Sequence, residues 1–265
     1  MGSDLTVIRK YATELTFQAG KILKKYFEKG GYSVRQKRGL DFTSQADEET
    51  DAFLRKHLAN KFPQTHFLTE ETAPKEYLSS KNTENLWVID PLDGTMNFLR
   101  KNPYFAISIA LVNKGIPQLA VIHLPMTGDI YWAQSDKPIA FVNETPLRVS
   151  ETTDLREVVL AINWSMRLKE RLAILKLLSN ISTHVRQIKF TGSSVVDLAI
   201  LAEGRIDAYL HLGGKPWDVA ASSLIVEKAG GKITTPTGEN WNVFGPDIFV
   251  SNGNLHQRLL TVLNK

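Results

Sequence analysis

Apolar side chains recur at helical spacing in several long segments of the chain. They begin at Leu5 and run to Tyr26, and Gly30 and Gly31 then end the pattern. A second helix is predicted from about Asp47 to Phe62, since its first turn is acidic and Pro63 follows it. Further predicted helices cover residues 170–181, 193–204, 218–231 and the tail from 254 onward.

Short apolar runs bounded by turn residues predict strands between these helices. They cover residues 65–71, 86–90, 104–112, 118–124, 129–134, 206–212 and 247–253, and a polar connector is expected at 33–47. Several of these strands follow one another too closely for a purely parallel sheet. The pattern indicates an α+β fold over residues 1–265. We expect one domain of two intimate halves that divide near 140–155, where nothing resembles a flexible linker.

Composition narrows the function classes. The chain has 265 residues, 43% of them hydrophobic, which is enough for a large core. Its 32 basic and 28 acidic residues are spread along the sequence, which does not favour a nucleic-acid surface. The absence of cysteine excludes disulfides, thiolate zinc sites and cysteine nucleophiles. No apolar run is long enough for a membrane span, and no signal peptide is visible, so a cytoplasmic protein is expected.

Carboxylates collect where predicted strands end. Asp90 and Asp93 follow an apolar strand in the stretch DPLDGT, and Glu70 and Glu71 end another strand. Asp218 opens a predicted helix, where it could serve only as an N-cap. DPLDGT alone could also be only a turn. Taken together, the acids indicate one shared site for a hard divalent cation such as magnesium. Glu71 is expected to be solvated.

The stretch WVIDPLDGTMNF, followed much later by WDVAASSLIVEKAGG, resembles the inositol monophosphatase family of magnesium-dependent, lithium-sensitive phosphatases. The segments DFTSQAD and TGSSVVDLAILAEGRIDAYL extend the resemblance over most of the chain, and within the family the chain resembles bacterial inositol-1-monophosphatases. The resemblance implies a layered α/β/α/β/α sandwich of mixed sheets and helix pairs. It also implies a homodimer and hydrolysis assisted by two or three Mg²⁺ ions without a covalent intermediate.

The resemblance also assigns roles to individual residues. Glu70, Thr95 and Asp47 match the catalytic group, in which Asp47 holds the threonine. Gly94 and Thr95 match the phosphate-binding amides. The implied metal ligands are Glu70, Asp90, the Leu92 carbonyl, Asp93 and Asp218. The implied substrate-binding residues are Asp93, Ser193, Ser194 and His211, and Lys37 is a possible support of the metal loop.

Two positions depart from the family's usual pattern. His211 stands where the family often has an acid that touches substrate hydroxyls, and we expect the imidazole to face the site and to be favoured in its charged form by phosphate and carboxylates. The segment 134–147 lacks the family's usual glycine-rich hairpin, so an atypical loop is expected.

The substrate remains open among small phosphate monoesters. Inositol 1-phosphate is the first expectation. Fructose 1,6-bisphosphate, a 3′(2′),5′-bisphosphate nucleotide and histidinol phosphate are alternatives on the same scaffold, because fold does not fix function. A non-catalytic regulatory module of a transcription complex is a further alternative, and decayed metal ligands would favour it.

Overall fold

The computed structural model describes residues 4–38, 41–73 and 77–265. This part of the chain contains seven α-helices and fourteen strands in mixed order. The helices are α1 (Leu5–Lys29), α2 (Gln45–Lys61), α3 (Thr95–Leu99), α4 (Leu168–Ile181), α5 (Ser194–Ala202), α6 (Pro216–Lys228) and α7 (His256–Leu263). Short 3-10 helices cover Tyr77–Asn82 and Leu155–Glu157. The predicted helices are therefore all present, and α3 is an additional short one.

The first half of the chain builds a seven-stranded mixed sheet. Its strands, in spatial order, are β3 (His66–Thr69), β4 (Leu86–Asp93), β5 (Ala106–Asn113), β6 (Ile116–Leu124), β7 (Asp129–Gln134), β8 (Phe141–Val142) and β9 (Thr145–Pro146). Only the β3–β4 pair is parallel. The segment expected to be an atypical loop thus carries the short β8–β9 hairpin at the sheet edge.

The second half builds a five-stranded mixed sheet. Its spatial order is β11 (Gln187–Lys189), β10 (Val159–Ile162), β12 (Ala208–Leu212), β14 (Asp247–Ser251) and β13 (Lys232–Thr234). Strand β10 lies parallel to both its neighbours, whereas β14 is antiparallel to β12 and β13. Strands β10, β11 and β13 were not predicted, because β11 and β13 are only three residues long and β10 only four.

Alternation along the strands sorts the side chains into layers. Trp87 and Ile89 face α1 and α2, while Leu86 and Val88 face the opposite side and pack with α5 and α6. The far face of the five-stranded sheet packs against α4 and α7. The order is therefore α1–α2, sheet, α5–α6, sheet, α4–α7, and the predicted five-layer sandwich is confirmed.

The predicted polar connector is wrong in part, since it contains a two-stranded hairpin. Strand β1 (Val34–Arg38) pairs with β2 (Asp41–Ser44) in antiparallel register, and residues 39–40 between them lie outside the described residues. Its strands are mainly polar because only part of the hairpin is buried, so no apolar alternation marks it. The hairpin brings Lys37 to the carboxylates that follow β3.

Candidate active site

A cleft of about 410 Å³ opens where the ends of β4 and β10 meet the starts of α3 and α6. Acidic residues line one part of it, and apolar residues line another. The acidic and turn residues are Glu70, Asp90, Leu92, Asp93, Gly94, Thr95 and Asp218. The remaining lining residues are Phe42, Met96, Asn97, Ile162, Asn163, Trp164, Met166, Phe190, Thr191 and Gly192. The structure thus brings together the distant acids that the sequence singled out.

A bulge in β4 positions the two aspartates. Asp90 pairs with Ser108 and Asp93 with Ala106, so β4 holds one more residue than β5 between these pairs. The Leu92 amide donates to Asp90 Oδ1 at 3.0 Å, which fixes the bulge. Both aspartates therefore belong to the strand itself, which extends to Asp93, three residues beyond the predicted end.

Asp93 also connects the two halves of the molecule. Its Oδ2 accepts hydrogen bonds from the Ser193 hydroxyl and from the Val195 amide, the latter at 3.0 Å. Ser193 is the N-cap of α5, and its hydroxyl oxygen in turn accepts from the Val196 amide. The predicted substrate-binding role of Ser193 remains a prediction, whereas its hydrogen bond to Asp93 is a clear positioning contact.

Glu70 and Glu71 follow β3 and share one cation. The Lys37 ammonium donates to Glu70 Oε1 at 2.9 Å and to Glu71 Oε1 at 2.6 Å. The prediction that Glu71 is solvated is wrong, because its side chain is only 5% exposed and also accepts from the Thr43 hydroxyl. The β1–β2 hairpin supplies both partners, and no apolar alternation signals that hairpin.

Asp218 enters the cleft from the first turn of α6. Pro216 begins the helix, and Asp218 is its third residue rather than its N-cap. Its Oδ2 accepts a hydrogen bond from the Lys215 amide at 2.9 Å, which satisfies a backbone donor that the helix leaves unpaired. The N-cap interpretation is therefore wrong, because Lys215 is the N-cap and Asp218 accepts from its amide, while Asp218 also lines the cleft.

Burial and mutual repulsion disfavour the charged forms of these acids. Burial raises the pKa of Glu70 to about 7 although Lys37 opposes the shift, and burial raises the pKa of Asp93 to about 6. The pKa values of Asp90 and Asp218 lie well above the usual range, first because of burial and then because other carboxylates of the cleft are near. A divalent cation would relieve this repulsion.

The donor set fits magnesium, which prefers carboxylate and carbonyl oxygens and retains several waters. The residues that would hold it are Glu70, Asp90, Asp93, Asp218 and the Leu92 carbonyl. Within the described residues, no three acids or histidines are already drawn together around a single ion position. Instead, the Lys37 ammonium pairs with Glu70, and Asp218 accepts a hydrogen bond from the Lys215 amide.

Thr95 begins α3, and its hydroxyl is held from two sides. Its Oγ1 lies 3.1 Å from Asp47 Oδ1 and 3.1 Å from the Leu92 carbonyl oxygen, both of which are acceptors. Asp47 is itself fixed by the Ser44 amide at 2.8 Å, in a capping box at the start of α2. Burial raises the pKa of Asp47 to about 6, while the Ser44 hydrogen bonds oppose this. Asp47 contacts the threonine rather than the cleft.

Position 94 requires glycine, because the turn there has no room for a side chain. Its φ of 89° and ψ of 34° are left-handed, and a Cβ there would lie 2.8 Å from the Tyr104 carbonyl oxygen. The tight turn directs the chain from β4 into α3, whose first amides have no acceptor within the helix. An anionic group in the cleft could accept from them.

His211 is not among the residues that line the cleft, and its predicted contact with substrate stays a prediction. It is buried on β12, and its Nδ1 lies 3.5 Å from the Ser194 hydroxyl, which also accepts from the Asn163 side chain at 2.5 Å. The charge that phosphate was expected to favour on His211 stays a prediction, while in the protein without phosphate the neutral ring is favoured. Burial and the nearby Arg167 lower the pKa of His211 to about 4.

The apolar residues at the cleft mouth were not among the predicted site residues. Trp164 and Met166 follow β10, and Phe190 follows β11. The available signal was the apolar run VVLAI ending in Asn-Trp, which has the form of a buried strand that leads to a loop. With β10 unassigned, the topology gave no reason to bring these residues to the carboxylates.

Comparison with known proteins supplies an independent view of the chain. The sequence model of the inositol monophosphatase family matches residues 4–265 of this chain. A protein named Nus factor SuhB from Salmonella typhimurium is 31% identical over 245 residues, which cover 92% of this chain and 90% of that protein. Inositol monophosphatase 3 of Solanum lycopersicum is 30% identical and covers 96% and 95% of the two chains.

Solved structures agree with the observed layers. The crystal structure of extragenic suppressor protein suhB from Bartonella henselae superimposes with a TM-score of 0.89 at 30% identity. It covers 98% of this chain and 99% of that chain. Among the helices of the described residues, none combines the length and the apolar character that crossing a bilayer would require.

Proposed function

The chain belongs to the inositol monophosphatase family, and on this premise we propose that it hydrolyses small phosphate monoesters with the help of magnesium at the acidic cleft. The observation that carries the proposal is the convergence of Glu70, Asp90, Asp93 and Asp218 on one cleft from three separate parts of the chain. Burial of so many carboxylates together opposes folding unless a cation compensates them.

Magnesium would neutralise the phosphate and the departing alkoxide when bound. The side chains and amides of the protein position the water and the phosphate. Glu70 and the Thr95 hydroxyl orient a water for attack on phosphorus, and Asp47 holds that hydroxyl in place. The amides after Gly94 bind the phosphate oxygens, because they have no acceptor within α3 and their residues line the cleft. No residue becomes covalently attached in this proposal.

Inositol 1-phosphate is the reference substrate, because the family and the tomato relative are named for inositol monophosphates, of which it is one. Fructose 1,6-bisphosphate, bisphosphate nucleotides and histidinol phosphate stay as alternatives, and a homodimer is part of the proposal. The Salmonella relative is named a Nus factor, so a role in a transcription complex is the competing proposal. The complete set of carboxylates favours hydrolysis.

The test is phosphate release from a panel of these esters with millimolar magnesium and with excess chelator. The proposal expects release from at least one ester only when magnesium is present. Asp93→Asn serves as the matched inactive variant, because it removes a charge while keeping the side-chain shape. Turnover that is unchanged in excess chelator would refute the metal dependence, and no turnover of any ester would favour the transcription-complex alternative.

A further inference from the structure

Four large apolar side chains that line the cleft stand partly exposed, and three of them, Trp164, Met166 and Phe190, follow β10 and β11. Trp164 is 36% exposed, and Met166 and Phe190 are each 50% exposed, yet all three line the same cleft as the carboxylates. Exposed apolar groups that surround a polar pocket are typical of ligand contact. The mouth therefore differs in chemistry from the acidic floor.

Trp164 and Phe190 form a fixed corner. Their ring centroids lie 6.0 Å apart with an interplanar angle of 82°, an edge-to-face contact. The Arg171 guanidinium lies 5.5 Å from the Trp164 ring centroid, and Arg171 Nε donates to the Ser165 carbonyl at 2.6 Å. These contacts hold the indole in place, so a flat ligand would meet a corner that is already ordered.

The polar side chains on this side of the cleft already bond to protein atoms. The Asn163 amide donates to Ser194 Oγ at 2.5 Å. The Asn97 amide donates to the carbonyls of Tyr104 at 2.7 Å and Thr191 at 2.9 Å. His211, whose family counterpart contacts substrate hydroxyls, lies behind Ser194 rather than in the cleft. A ring of hydroxyls would find few unpaired partners among the described lining residues.

We propose that Trp164 and Phe190 form a stacking site for a flat aromatic ring in the leaving alcohol, so that the cleft prefers a nucleoside monophosphate to a polyol phosphate. This inference rests on the proposed phosphatase function. The mouth and the acidic floor are different parts of the cleft, so the ring needs a spacer such as a ribose between it and the phosphate. In the reaction the water oxygen joins phosphorus, the ester P–O bond breaks, and the nucleoside leaves as its alcohol with a proton from water.

The test compares kcat/KM for adenosine 2′-phosphate, glycerol 2-phosphate and inositol 1-phosphate at saturating magnesium. The first two esters both carry phosphate on a secondary hydroxyl, and only the first has an aromatic ring. Base stacking on an aromatic side chain changes affinity by roughly five- to 150-fold. We therefore expect the adenosine ester to be preferred to each of the other two by about tenfold or more.

Variants separate stacking from general apolar contact. Trp164→Ala and Phe190→Ala should each lower the ratio of kcat/KM for the adenosine ester to that for glycerol 2-phosphate by about fivefold or more. Trp164→Phe should restore part of the ratio, because it keeps an aromatic face. Leu172→Ala is the matched control, since Leu172 is a 58% exposed apolar residue of α4 that does not line the cleft. It should leave the ratio unchanged.

Ratios that stay within twofold in both alanine variants would overturn the proposal. Loss of a dimer in light scattering with an unchanged ratio would also overturn it, since the aromatic pair would then serve subunit contact. If the wild-type protein hydrolyses no ester, the proposed function fails. Equilibrium dialysis of the adenosine and glycerol esters against the wild type and Trp164→Ala then decides the stacking proposal by the same ratio.

Discussion

Two clusters of buried polar side chains in this protein differ in how well they are satisfied. The first is the acidic cluster of the cleft, formed by Glu70, Asp90, Asp93 and Asp218. The second, here called the histidine network, consists of His256, Ser251 and Thr234 under the edge of the second sheet. Both clusters are taken largely out of water, yet only the acidic one brings together groups that repel one another.

In the histidine network, each hydroxyl and each ring nitrogen has a hydrogen-bond partner, and the donors and acceptors can be assigned. The Thr234 hydroxyl donates to the Thr235 carbonyl at 2.7 Å, so it accepts from His256 Nε2 at 2.9 Å. His256 Nδ1 then accepts from the Ser251 hydroxyl at 2.8 Å. Both ring nitrogens are paired in the neutral form, and burial and Lys232 lower the pKa of His256 to about 4.

The two clusters show that buried polar groups can serve either the stability of the core or the binding of a ligand. A network in which every member has a partner specifies a core and needs nothing further. A cluster of neighbouring carboxylates with raised pKa values is unfavourable by itself, and such arrangements occur where a ligand is to be bound. The structural and functional uses of buried polarity thus appear side by side in one chain.

The largest expected effect is the loss of activity in Asp93→Asn and Asp218→Asn. Each should lower kcat/KM by roughly a hundredfold or more, since a metal ligand is removed from the cleft. The free energy of unfolding without magnesium should not fall, because the change also removes a repelling charge. Phosphate release and urea unfolding measure the two effects. Activity near the wild-type value at saturating magnesium would mean that the residue is not a ligand.

The opposite pattern is expected when the histidine network is broken. His256→Ala should lower the free energy of unfolding by about 1–3 kcal/mol, because it leaves the Ser251 and Thr234 hydroxyls without their buried partner. The kcat at low temperature should stay within about twofold of the wild type, since the network does not line the cleft. Unfolding curves in urea test this. A stable variant with impaired turnover would contradict the structural role.

The pH dependence of stability gives an effect with a definite sign. The pKa of His256 is about 4 in the folded protein and about 6.5 when unfolded, so the unfolded chain binds the extra proton between these values. The contribution of His256 is therefore fully present above about pH 6.5 and falls as the pH drops toward 4. His256→Gln should flatten the profile in that window. Parallel profiles for both proteins would refute the lowered pKa.

The smallest expected effect concerns His211. Because its ring is buried behind Ser194 and does not line the cleft, His211→Asn should change substrate ratios less than the Trp164 variants do. A change of about threefold or less in the kcat/KM ratio of inositol 1-phosphate to a sugar bisphosphate is expected. A change of tenfold or more would restore direct substrate contact, which is the role that the resemblance implied.

Sequence patterns predicted most of the fold because the long helices and the core strands carry clear periodicity. Gly30 ends α1, and the apolar run before Asp90 marks β4, so local signals were sufficient there. The β1–β2 hairpin escaped prediction, because its strands are short and polar. The cleft was foreseen because the aspartates of DPLDGT occur together with Glu70 and Asp218 at the ends of other elements. The contact of Lys37 with Glu71 and that of Trp164 with Phe190 could not be predicted, because they join residues that are far apart in the sequence.

The central claim is that the acidic cluster is unfavourable without a cation and is stabilised by one. Thermal unfolding in excess chelator and in millimolar magnesium tests it directly. A ligand at a hundredfold its Kd stabilises a protein by about 2.7 kcal/mol, so the Tm of the wild type should rise by roughly 5 °C or more. His256→Ala should show the same rise from a lower Tm, and Asp93→Asn a much smaller one. Equal Tm values for the wild type in the two conditions, or an undiminished rise in Asp93→Asn, would contradict the claim.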